Sequence, residues 1–213
     1  MKEYLKITNE DNMALMSRYP DNYFDLAIVD PPYGISINAN MGLKKGKRKK
    51  HKKVEWDDEI PNDKYWEELF RISKNQIVWG GNYFPQIWKN GCKHFLFWDK
   101  LVAEDMSFSS GELAWTSYNK ADKKIVLRNV TNDKIHPTQK PVALYEYLIK
   151  KYCEPNFKII DTHIGSGTIA IAVDNFNKIE KMNLYLVGCE LNKDYFESAV
   201  KRIKQLTIQD TLF

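Results

Sequence analysis

The sequence predicts an α/β fold, a mostly parallel sheet of seven strands with helices on both faces, and three observations point there. Short β-rich segments recur through the 213 residues. Segments with helical apolar spacing alternate with them, and two of the strand-like runs end in turns that a strand cannot continue through.

The expected strands occupy residues 4–8, 25–29, 76–79, 94–98, 112–117, 158–161 and 184–189. The second contains the unbroken run Leu26-Ala27-Ile28-Val29 and the sixth the run Ile159-Ile160, as strands buried on both faces require. Helices are expected over 63–73, 142–153, 168–176 and 193–206. In the second of these Val142, Tyr145, Leu148, Ile149 and Tyr152 recur at helical spacing, and in the last Phe196, Ala199, Val200 and Ile203 do so. The length suits one domain with a sizeable core, and no repeats or interdomain linker are visible. Trp88, Trp98 and Trp115 are expected in that core, and Trp79-Gly80-Gly81-Asn82-Tyr83 reads as a strand-end turn.

Cys92, Cys153 and Cys189 are odd in number and far apart, so they form neither a disulfide framework nor a metal site. Met1-Lys2-Glu3-Tyr4 has no signal-peptide pattern, and no apolar run nears the roughly 20 residues that span a bilayer. A soluble cytoplasmic protein is expected. The formal net charge is +4, but Lys44, Lys45, Lys47, Arg48, Lys49, Lys50, Lys52 and Lys53 crowd into ten positions. Taking those eight charges from the total leaves −4, so a mildly acidic body carries one intensely basic segment. That segment lies within 34–58, a stretch with little periodicity and too long for an ordinary connection. A run of like charges suits either a solvated loop or a polyanion contact.

Asp30-Pro31-Pro32-Tyr33 directly follows the apolar run 26–29. Two prolines stop the strand and hold an extended turn, so a carboxylate, a free carbonyl and an aromatic ring face the space beyond it. That combination fits a flat group bearing an amine: Asp30 and the Pro31 carbonyl accept from its N–H bonds and Tyr33 offers a stacking face. A second motif follows the strand 158–161, where Asp161-Thr162-His163-Ile164-Gly165-Ser166-Gly167-Thr168 runs through a glycine turn into a helix. Backbone approaches a ligand closely at such glycines, and amides at the helix start favour anionic groups. Glu190 ends the next strand, about 22 residues beyond Gly167, the relation that grips ribose hydroxyls in nucleoside-binding folds.

With these residues, the chain resembles the S-adenosylmethionine-dependent amino-methyltransferases that act on nucleic acid, in particular the adenine-N6 DNA methyltransferases. Asp30-Pro31-Pro32-Tyr33 matches their catalytic motif and 161–168 resembles their cofactor loop. His136-Pro137-Thr138-Gln139-Lys140, followed by Pro141, resembles the segment over the methionine end of the cofactor. Glu190-Leu191 matches the ribose-binding acid, and Asp11-Asn12 stands where relatives contact the cofactor's adenine. The resemblance implies a Rossmann-like methyltransferase fold with S-adenosylmethionine as cofactor. The order, catalytic motif before cofactor loop, is that of the β, circularly permuted subgroup, so strand 4–8 should lie beside the strand that ends at Glu190.

Thr162-His163 replaces the family's usual Pro-Phe, and His163 is expected to be a packing substitute rather than a base. The interval between Ser117 and His136 leaves no room for an inserted target-recognition domain, so DNA reading would fall to 34–58. The chemistry implied is a direct in-line transfer of methyl to the exocyclic nitrogen of a flipped-out base, with Asp30, Pro31, Pro32 and Tyr33 aligning it and no covalent protein nucleophile. The implied partners are double-stranded DNA, a second copy of the chain and a cognate restriction endonuclease. The sequence leaves open cytosine N4, RNA adenine or a glutamine amide as acceptor, and a non-catalytic nucleic-acid-binding subunit of the same fold.

Overall fold

A computed structural model describes residues 1–35, 59–89, 91–102, 109–129 and 134–208. The elements run β1 (Leu5–Thr8), α1 (Asn12–Met16), β2 (Leu26–Val29), α2 (Asp63–Ile72), β3 (Gln76–Trp79), β4 (His94–Asp99), β5 (Gly111–Thr116), β6 (Lys123–Val126), α3 (Val142–Tyr152), β7 (Lys158–Asp161), α4 (Thr168–Ile179), β8 (Tyr185–Cys189) and α5 (Lys193–Ile208). Two 3-10 turns, Gly81–Tyr83 and Pro85–Trp88, follow β3.

The strands form one sheet in the order β1-β8-β7-β2-β3-β5-β4-β6. The first five are mutually parallel, β5 is antiparallel to both neighbours, and β6 joins the edge parallel to β4. The expected long-range neighbour is present: Leu5 stands opposite Leu186 and Thr8 opposite Cys189, joining the first strand to the last. Every residue of β2 is buried, as a continuous apolar run in the middle of a parallel sheet demands.

Alternation along the strands splits the core in two. Leu26, Ile28, Ile77 and Ile159 face the layer containing α3, α4 and α5. Ala27, Val29, Val78 and Ile160 face the layer of α1 and α2. Helix α2 forms because Tyr65, Trp66, Leu69 and Ile72 place one apolar stripe on the sheet, while the Asn62 side chain accepts from the Tyr65 amide to cap its start.

Eight strands rather than seven are present among the described residues. The extra one, Lys-Lys-Ile-Val of β6, buries only Ile125, and its exposed lysines read as loop in the sequence. Charged residues are what an edge strand carries, and pairing with β4 supplies the regularity that composition does not. Of the three tryptophans assigned to the core, Trp98 and Trp115 are buried there, but Trp88 is exposed and its indole N–H donates to the Gly81 carbonyl at 2.7 Å. A 3-10 turn on the surface places it, which no apolar spacing could have shown. No helix among the described residues is long and apolar enough to cross a membrane.

Candidate active site

The carboxyl ends of β1, β2, β7 and β8 open onto one cavity of about 220 Å3. Asp30 and Pro32 line it from beyond β2, Thr162 to Ser166 from beyond β7, Glu190 and Leu191 from beyond β8, and Glu10 to Asn12 from beyond β1. His136, Thr138, Gln139 and Lys140, with Tyr145, Thr168 and Tyr195, complete the wall. Two motifs more than a hundred residues apart therefore share one space, at the strand ends where open α/β sheets bind ligands.

Asp30 is held from both sides. Tyr33 donates its hydroxyl to Oδ1 at 2.6 Å, and the Lys140 ammonium donates to Oδ2 at 2.5 Å. Lys140 also lies 3.1 Å from Glu112, which in turn pairs with Lys100 at 2.5 Å. Burial raises the Asp30 carboxyl above its ordinary range against the pull of Lys140. Burial opposes the charge on Lys140, but Asp30 and Glu112 outweigh it and hold the ammonium above the usual lysine value. Burial likewise opposes ionisation of Glu112, and the two lysines overcome it, keeping that carboxyl below its ordinary value.

Tyr33 does not present an open stacking face as expected. Its ring stacks on Tyr83, centroids 4.9 Å apart and planes 12° from parallel. The left-handed Gly80 (φ +67°) leaves the room: a Cβ there would lie 2.1 Å from the Tyr33 ring. The turn after β3 thus packs against Tyr33 rather than forming the cavity wall.

The glycine turn is tied to its neighbours. Glu190 accepts the Gly165 amide at 3.0 Å, and the Asn192 amide at 2.9 Å. Arg202 of α5 donates to the Ser166 carbonyl at 3.1 Å, while Thr168 donates its hydroxyl to the Lys140 carbonyl at 3.1 Å. Gly167 (φ +73°) lies against α5, where a Cβ would come within 2.7 Å of Ile203. Asp11 spends its carboxylate on the amides of Met13 and Ala14, capping α1.

Burial governs titration here. His136 and His163 are pushed down to about 4, His136 further by the charges of Lys140 and Lys134, so both rings are neutral near pH 7. His163 packs edge-on to Tyr65 and contacts Asn12 and Thr162, the packing role expected for it. Burial pushes Asp161 up to about 8, although the His163 amide works the other way. Its folded pKa lies above the unfolded one, so its contribution is complete below about 4 and lost as pH rises through about 8. Asp161→Asn should therefore gain Tm relative to the wild type as pH rises from 4.5 to 8.5, measured by thermal unfolding across about this range; a pH-independent difference would refute the shift.

Of the expected site residues, Pro31, Tyr33, Pro137, Asp161 and Gly167 stand outside the cavity lining; the last two support it from behind. The basic residues Lys44 to Lys53, and Trp56 to Asp58, lie outside the described residues. Sequence reasoning missed Glu10, Tyr145 and Tyr195 in the wall, and Glu112 behind it. Tyr145 looked like one more member of the α3 apolar stripe. Tyr195 packs edge-on against His136, 4.5 Å between centroids, a pairing that only α5 docking creates.

A cofactor with a cationic centre fits these walls. Glu10, Asp11, Asp30 and Glu190 all face the cavity; Glu10 is paired with Arg18 and Asp30 with Lys140, so the excess negative charge of the wall rests on Asp11 and Glu190. The Gln139 amide nitrogen, buried in the same wall, has no hydrogen-bond partner among the described residues.

Known proteins were compared with this chain. Over 93% of its length it is 25% identical to the type II methyltransferase M.BglII from Bacillus subtilis, spanning 69% of that protein. The type II methyltransferase M2.LlaDCHI from Lactococcus lactis subsp. cremoris is 21% identical over 96% of the chain and 91% of its own. Among solved structures, the M1.HpyAVI–SAM complex superposes with a TM-score of 0.60 at 20% identity, covering 93% of this chain and 99% of the other. The cytosine-N4-specific PvuII DNA methyltransferase also gives 0.60, at 10% identity over 97% of this chain and 94% of the other. These superpositions establish a Rossmann-like methyltransferase fold. The profile of the DNA methylase family that joins N6 and N4 enzymes matches residues 74–201, more than half of the chain, and with the site just described this chain belongs to that family.

Proposed function

We propose that the protein methylates the exocyclic N6 of adenine in double-stranded DNA, using S-adenosylmethionine, as a member of the permuted subgroup. The observation that carries this reading is Asp30, a carboxylate with both oxygens anchored, on the wall of the cavity that the glycine turn also lines. Asp at this position favours adenine, since cytosine-N4 relatives often carry Ser there.

The cofactor, when bound, supplies an electrophilic methyl. Glu190 would hold its ribose, Asp11 and Asn12 its adenine, and the wall of His136, Thr138 and Gln139 its amino-acid end. The protein's own work is alignment. The Asp30 carboxylate and the Pro31 carbonyl accept the two N–H bonds of the acceptor amine and turn its lone pair towards the methyl. The neutral His136 and His163 add no positive charge beside a cationic cofactor. Entry of a base requires Tyr33 to share or exchange its contact with Tyr83. One catalytic domain carries these parts, and with no room for an inserted recognition domain the 34–58 segment takes the DNA backbone.

Incorporation of labelled methyl into DNA, followed by nucleoside analysis, tests the acceptor. Label in N6-methyladenine is the expected outcome, and label confined to cytosine overturns the adenine assignment while leaving the family membership intact.

A further inference from the structure

Glu112 has no part in the reaction as described, yet it is one link of a partly buried charge row whose deepest member is Lys140. Its Oε1 takes the Lys100 ammonium at 2.5 Å and its Oε2 lies 3.1 Å from Lys140. Lys140, its side chain only 3% exposed, sits 2.5 Å from Asp30 and 5.4 Å above the centre of the Trp79 ring. Two ammonium groups and two carboxylates thus alternate, Asp30, Lys140, Glu112, Lys100, and the row is neutral.

The consequence falls on Asp30. A carboxylate has about four acceptor sites, and Tyr33 and Lys140 take one on each oxygen, which fixes its plane. An ammonium has three donors and, without a second acceptor, would turn more of them onto Asp30 and compete with the acceptor amine. Glu112, an ion-pair partner 3.1 Å from the same ammonium, supplies that second attraction. The pair is held in place by secondary structure: β5 carries Glu112, Gly111 pairs with Asp99 at the strand end next to Lys100, and α3 begins just beyond Lys140.

We infer that Lys140 and Glu112 form a positioning pair for methyl transfer: Lys140 orients the Asp30 carboxylate, and Glu112 restrains Lys140 so that lone pairs stay available to the acceptor amine. This rests on the methyltransferase reading above.

The test uses the full chain, with DNA from a host lacking its own methyltransferases, and S-adenosylhomocysteine as the binding probe. Wild-type methyl incorporation establishes the reading itself; its absence removes both. Glu112→Gln should then lower kcat about 10- to 100-fold while the KM for S-adenosylmethionine and the affinity for S-adenosylhomocysteine stay within about threefold. Glu112→Asp should recover part of the rate, and adding Glu112→Gln to Lys140→Met should cost little beyond Lys140→Met alone. A kcat within about twofold of wild type, or kcat and affinity falling together, overturns the pair. If the single variant does not fold, Glu112→Met with Lys140→Met replaces both charges by apolar groups, which buried sites tolerate better. That double variant is expected to bind S-adenosylhomocysteine normally and transfer methyl at least about tenfold more slowly, and a normal rate refutes the proposal.

Discussion

Asp30→Asn is expected to slow methyl transfer to DNA on the order of 10²- to 10³-fold while binding of S-adenosylhomocysteine changes little. The size follows from geometry. Both Asp30 oxygens act as acceptors, one from Tyr33 and one from Lys140. An amide has one oxygen and one NH2, so it must point a donor at one of those two donors, or turn away and lose the fixed plane. It also removes the negative charge that faces the acceptor amine. Lys140 keeps Glu112 as a partner, so the fold is not left with a wholly unpaired buried ammonium. Single-turnover methyl incorporation beside calorimetric binding separates the two effects. A rate within about tenfold of wild type would remove Asp30 from the alignment role.

The second large effect concerns DNA. Replacing Lys44, Lys45, Lys47, Arg48, Lys49, Lys50, Lys52 and Lys53 by serine is expected to flatten the salt dependence of DNA affinity and to lower affinity at low salt by several orders of magnitude. Each phosphate neutralised contributes roughly −0.9 to the slope of log affinity against log salt, so eight contacts would take about 7 from it. The rest of the chain carries a formal −4 and has no comparable concentration of positive charge in its sequence. Titration of labelled duplex at several salt concentrations reads the slope directly. An unchanged slope would place DNA on another surface.

Much of the fold was legible because each central strand had to be apolar on both faces. Leu26-Ala27-Ile28-Val29 is buried throughout, and the expected limits of β3 and β7 match those observed. Edges follow other rules. β6 depends on its pairing with β4, and Trp88 depends on a surface turn, so neither leaves a periodic signal. The neighbour relation of β1 and β8 was legible only from motif order, since almost the whole chain intervenes.

The candidate site divides in the same way. Contiguous residues with distinctive chemistry, Asp30 to Tyr33 and Asp161 to Thr168, announce themselves because local backbone needs write proline and glycine at set places. Partners chosen across the fold do not. Glu112 is one polar residue in a strand, and nothing in its neighbours shows that Lys140 and Lys100 will meet there.

By itself the sequence determined the α/β class, the two motifs, their order and the family they belong to. Tertiary structure decided what those motifs touch. It turned Tyr33 onto Tyr83, spent Asp11 on a helix cap, put the Glu190 carboxylate on the glycine turn and drew Lys140 onto Asp30. The reason is that backbone propensity acts between near neighbours, whereas a buried charge must find its partner wherever packing brings one within reach.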